Sequence, residues 1–114
     1  MTGAALSAAR RIVRAWDLTD VEVGLLLRIE LNDVERFYAQ NDYVLAPALR
    51  ERVAVLIAIW VNLASLFGRG PIADGWIRRQ NRDFNDRPPL ERMMNGEIED
   101  LQAIVRYLSL AQQR

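Results

Sequence analysis

The sequence predicts an all-α fold: a compact bundle of about seven helices. The N-terminal part reads as helix-turn-helix-like and the C-terminal part as a smaller helical unit. Three observations carry this. Apolar residues recur at helical spacing from one end of the 114 residues to the other. Pro47, Pro71 and Pro88-Pro89 stand where helices open, and Gly68, Gly70 and Gly96 where they close. No segment of useful length alternates at period two, so no sheet is expected.

The first helix is expected over residues 3–16, with Ala5, Ala8, Ala9, Ile12, Val13 and Trp16 on its apolar face. The second, over residues 20–28, opens on a capping box. The Thr19 hydroxyl and the Glu22 carboxylate each satisfy a backbone N–H that the helix leaves free. The third is expected over residues 31–40, with Val34, Phe37 and Tyr38 inward and Asn32/Glu35 as an alternative capping pair. A loop over residues 41–46 leads to Pro47, which suits a first helical turn. The fourth helix then runs to residue 67 and is apolar almost all round, so it is central to the core or shared with another subunit. A fifth helix is expected over residues 71–79, a polar loop with Phe84 tucked inward over 80–87, and a short sixth helix over 88–94. The last, over residues 97–112, has the seam Ile98, Leu101, Ile104, Val105 and Leu108. Glu97, Glu99 and Asp100 sit at its positive end. The domain division expected is 1–67 and 68–114.

Apolar residues make up 51% and charged residues 26%, enough to bury a core. There is no Cys and no His. That removes disulfides, thiolate chemistry, imidazole metal sites and His-based triads. No catalytic residue, metal ligand or cofactor site is expected. Residues 53–61 are an unbroken apolar run, but Asn62 and Ser65 follow it, and a membrane span needs about 20 apolar residues. The expectation is a soluble cytoplasmic protein. Fifteen acids balance fifteen bases, all of them Arg. The balance is local, not uniform: Arg10, Arg11 and Arg14 give the first sixteen residues +3. Over residues 17–42, seven acids face Arg28 and Arg36, for −5.

The second and third helices suggest a helix-turn-helix. Gly24 supplies the small residue where the two cross, and Val23, Leu27, Ile29, Val34 and Phe37 supply inner faces. The left-handed turn position holds Arg28 instead of Gly, a departure costing about 1 kcal/mol. An ordinary helical hairpin is the alternative. The outward residues are Glu30, Leu31, Asn32, Asp33, Glu35, Arg36 and Ala39. Acids repel phosphates, which leaves Asn32 and Arg36 as base readers and Arg10, Arg11 and Arg14 as phosphate contacts. A solvated acidic face without DNA contact is the competing reading.

The C-terminal half has an ordered set of features. Leu66-Phe67 ends the long helix. Ala73 and Trp76 follow, then Asn81, then Pro89-Leu90-Glu91, then Gly96 and the final amphipathic helix. This set resembles the toxin-binding domain of Xre/MbcA/ParS-type antitoxins, and the upstream part, from Leu18-Thr19, resembles their Xre-like helix-turn-helix. Each piece has a plainer reading. Trp76 shares a helix face with Ala73 and serves as a core anchor. Asn81 makes a local turn bond. Met93 and Met94 are adaptable core filler. Arg78, Arg79 and Arg82 form a solvated basic cluster.

The resemblance implies a homodimeric antitoxin that silences a RES-type, NAD⁺-consuming toxin by covering its active-site entrance. It also implies repression of its own operon through the N-terminal half. The dimer is expected on the fourth helix, through Val53, Leu56, Ile57, Trp60 and Val61, or on the N-terminal helix beside it. The toxin surface is expected among Trp76, Arg78, Arg79, Arg82, Glu99, Gln102, Arg106 and Arg114, with the polar chain end after Leu108 entering the toxin. A stand-alone helix-turn-helix regulator of transcription is the alternative function.

Overall fold

The computed structural model describes residues 2–113. Seven α-helices lie among them in the order α1 Thr2–Ala15, α2 Asp20–Leu27, α3 Leu31–Ala39, α4 Pro47–Phe67, α5 Pro71–Gly75, α6 Pro89–Met93 and α7 Ile98–Ala111. The only β feature among the described residues is an isolated antiparallel bridge between Asn81 and Arg87. The all-α expectation therefore holds.

Helix α4 is the axis of the molecule. It packs against α1 on one side and α7 on another, with α2 and α5 closing further sectors. Val53, Leu56, Ile59 and Leu63 form its buried stripe. Most of its apolar surface is thus covered inside the chain. Ile57 and Trp60 are half-buried, and Val61 remains 54% exposed. No helix among the described residues is long and apolar enough to cross a membrane.

One contiguous core joins both halves. It contains Ala9, Ile12 and Val13 from α1, Trp16 just after it, Val34 and Phe37 from α3, Ile77 and Met93, and Leu101, Ile104 and Leu108 from α7. Leu6, Leu18, Leu45 and Leu49, Val23, Leu26 and Leu27 from α2, Ala73, Leu90 and the α4 stripe complete it. The expected seams are confirmed except at Ala8, which is half-buried and outside the cluster, with Ala5, Ile98 and Val105 at its edge. Trp16 is buried against Trp60, ring centroids 6.5 Å apart.

The Thr19 cap forms as the sequence requires. The Glu22 N–H donates to Thr19 Oγ1 at 3.1 Å, and the Thr19 N–H donates to Glu22 Oε1 at 2.9 Å. The alternative Asn32/Glu35 cap does not form. Helix α3 starts at Leu31 with Glu30 as N-cap and no side-chain cap bond.

Two segments differ from expectation. The fifth helix does not reach residue 79. It stops at Gly75 and tightens into a 3₁₀ turn, Trp76–Arg78, in which the Arg79 N–H donates to Trp76 O at 3.3 Å. Gly75 costs helix stability there, and Arg79 folds back to donate to the Ile72 carbonyl. The 80–87 segment is not irregular. A second 3₁₀ turn, Arg82–Phe84, is followed by Asn85 and Asp86, both left-handed at φ 59° and 62°. Asn and Asp tolerate that conformation because their short side chains bond locally.

Candidate functional site

Two surfaces hold the residues that the sequence singles out. The first is the α1/α3 face. Arg10 is not free there. Its Nε donates to Phe37 O at 2.7 Å and its Nη2 to Gln40 O at 2.6 Å, so it caps the C-terminal end of α3, where a cation opposes the helix dipole. Arg14 lies over the Tyr38 ring, 5.0 Å from its centroid. Arg11 is exposed. Ser7, Arg10, Arg11 and Arg14 line a shallow recess of about 380 Å³. Asn32 is exposed in the first turn of α3, and Arg36 pairs with Asp33 at 3.1 Å. Burial, reinforced by the Asp20 charge, pushes the Tyr38 phenol above its ordinary range. Burial and Asp33 do the same for Tyr43. Both phenols stay protonated at neutral pH.

The second surface lies on the C-terminal unit. Trp76, Phe84 and Tyr107 form a three-ring cluster, with centroids 6.1, 6.0 and 5.1 Å apart. Trp76 is therefore a half-buried anchor in a cluster that reaches the surface. Asn81 makes the expected local bond: its side chain accepts from the Asp83 N–H at 2.9 Å. The three neighbouring arginines do not form one patch. Arg78 donates to Trp16 O at 3.0 Å, Asp17 O at 2.6 Å and Glu22 Oε1 at 2.7 Å, locking this unit to the end of α1. Arg79 is held by Ile72, and Arg82 is exposed. On α7, Glu99 and Arg106 are exposed and Gln102 is half-buried. Arg114 lies outside the described residues.

Glu22 sits where the two halves meet. Burial would raise its pKa, but the Thr19 N–H and the Arg78 guanidinium outweigh that and hold it below its ordinary value.

Two features escaped the sequence reading. One is a groove of about 400 Å³ between the 83–88 turn, α6 and α7, with Phe84, Pro88, Ala103 and Tyr107 among its lining. Phe84 alone was expected inward. Tyr107, whose hydroxyl donates to Asp83 Oδ2 at 2.6 Å, was not singled out. The other is a clamp at the α2–α3 turn. Arg28 is left-handed, at φ 58°. Its Nε donates to Gly96 O at 3.0 Å and its Nη2 to Glu97 Oε1 at 3.0 Å. Arg52 donates to the same Gly96 carbonyl at 2.5 Å and to Leu26 O at 3.2 Å. Burial, with Arg28 nearby, lowers the Arg52 pKa from its ordinary value. Gly96 itself sits at φ 88°, and a Cβ there would approach Arg28 Nε to 3.5 Å.

An aromatic-floored groove and an exposed helix face thus lie on a unit that Arg78, Arg28 and Arg52 brace against the N-terminal half. Residues 62–110 match the family described as the antitoxin Xre/MbcA/ParS C-terminal toxin-binding domain. The resemblance read from Leu66-Phe67, Ala73, Trp76 and the residues after them is borne out over this segment, and it supports an antitoxin role. The segment begins inside α4 and includes the whole groove. The chain is also similar to the uncharacterized protein y4oB of Sinorhizobium fredii (strain NBRC 101917 / NGR234), 36% identical over 58 residues. That match spans 51% of this chain and 45% of the relative's length.

Proposed function

We propose that this chain is the antitoxin of a toxin–antitoxin pair, and that it binds and neutralises a RES-type, NAD⁺-consuming toxin. It acts by binding and not as an enzyme. The observation that carries the reading is the match of residues 62–110 to a toxin-binding domain. The end of α7 is the proposed plug. Beyond Leu108 the chain is polar except for Leu110, which is 60% exposed, and Ala111, so little core holds it. Arg106 and Arg114 are positioned in sequence to pair acceptors at the toxin's mouth. We place the protein in the cytoplasm as a homodimer that represses its own operon. The test is co-expression with the product of the adjoining reading frame. Protection of the cells and co-purification of the two proteins are expected. Failure of both removes the reading.

A stand-alone transcriptional regulator is the second reading, favoured by the left-handed α2–α3 turn and by Gly24 beneath it. It requires promoter binding by the chain alone, and the absence of a toxin from the adjoining frame.

A further inference from the structure

We infer that the groove between the 83–88 turn and α7 receives an apolar or aromatic side chain projecting from the toxin, making it a second contact separate from the chain end. This rests on the antitoxin reading above.

The first argument is electrical. Every charge bordering the groove has a partner on this chain. Arg87 pairs with Glu91 at 3.2 Å, Arg92 with Asp100 at 3.2 Å, and Asp83 accepts from Tyr107. A charged guest would find each of these groups already engaged and would gain little by exchanging partners at an exposed pair. An apolar guest displaces only water from the faces of Phe84 and Tyr107.

The second argument is preorganisation. Phe84 and Tyr107 are 5.1 Å apart at 66°, and Trp76 backs both rings. The floor is set before anything binds, so little ordering is lost on association. The volume, about 400 Å³, suits one or two side chains and not a folded element.

The third argument is position. The groove lies wholly within the matched segment. Ala103 forms one wall and belongs to a stripe on α7 with Glu99, Arg106 and Leu110, at the spacing that puts all four on one helix face. A toxin seated on that stripe covers the groove and the exposed Leu110 together.

The test fills the groove from opposite sides. Ala103→Arg does so from α7, and Asn95→Arg from the turn before it. Ala48→Arg, on an exposed turn of α4, is the control. Circular-dichroism melts first confirm that each variant folds, and either plug variant suffices if the other does not. Titration of the purified chain with the adjoining frame's product then gives the affinity. Each plug variant is expected to weaken binding by at least about tenfold, as loss of a central anchor does, with the control unchanged. Wild-type binding with both folded plug variants unaffected overturns the groove and leaves the antitoxin reading standing. No binding by wild type removes both.

Discussion

At the scale of single residues, arginine side chains join the two halves. Arg78 reaches α1 and Glu22 from the C-terminal unit, while Arg28 and Arg52 reach Gly96 from the N-terminal half. Arg28 shows why a side chain persists where the backbone favours glycine. The left-handed conformation costs about 1 kcal/mol, and the bonds to Gly96 and Glu97 offset it. Two variants separate these terms. Arg28→Ala keeps the strain and loses the bonds, so it should destabilise by about 1–2 kcal/mol. Arg28→Gly loses both and should be more stable than the alanine variant by about 1 kcal/mol. Denaturant midpoints read both, and an alanine variant as stable as wild type would refute the account. Glu22 gives a pH test. Its folded pKa lies below the ordinary 4.5, so its contribution is fully present above that value and is lost as pH falls through the folded one. The stability gap between wild type and Glu22→Gln should be widest near neutral pH and close in acid. A gap independent of pH would mean that the Arg78 pair contributes nothing. None of these long-range pairs was legible in the sequence. Their partners are backbone carbonyls 26–68 positions away and the carboxylates of Glu22 and Glu97, 56 and 69 positions away, and an arginine carries no mark of which acceptor it will find.

At the scale of elements, periodicity was the reliable signal. The seams of α1 and α7 and the Thr19 capping box are where spacing puts them, because each depends only on residues a turn apart. The segment from Pro71 to Arg87 was less legible. Its shape depends on Trp76, Phe84 and Tyr107 meeting, and Tyr107 arrives from another helix. The end of α7 supports a prediction of its own. Residues 109–114 contribute no side chain to the buried core among those described, and Gln112 reaches only the side chain of Asn62. Removing 109–114 should leave the helical spectrum intact and lower the melting temperature by no more than about 4–8 °C, the equivalent of roughly 1 kcal/mol. Protection against the toxin should fall. Full protection and undiminished co-purification would show that the chain end is not the plug.

At the scale of the whole molecule, charge is divided and much of it is already committed. The −5 of residues 17–42 lies on and beside α2 and α3, and Asp20, Glu30, Glu35 and Asp42 are exposed there. Of the cations meant to offset them, Arg10 is bonded to the end of α3, Arg14 rests on Tyr38 and Arg36 is paired with Asp33. Arg11 is left with no such tie among the described contacts, so net charge by region overstates what a phosphate would meet. The free chain should therefore bind its own promoter weakly, with a salt slope of about −1 to −2, the release expected when one or two phosphates are neutralised. Fluorescence anisotropy against promoter and scrambled duplexes would read affinity and slope together. Arg11→Ala should remove most of whatever slope exists, and Arg10→Ala should lower thermal stability more than it lowers affinity, since its guanidinium holds α3. A slope steeper than about −5, or strong discrimination between the duplexes that Asn32→Ala and Arg36→Ala abolish, would mean the acidic face is bridged in the complex and that α3 does read bases.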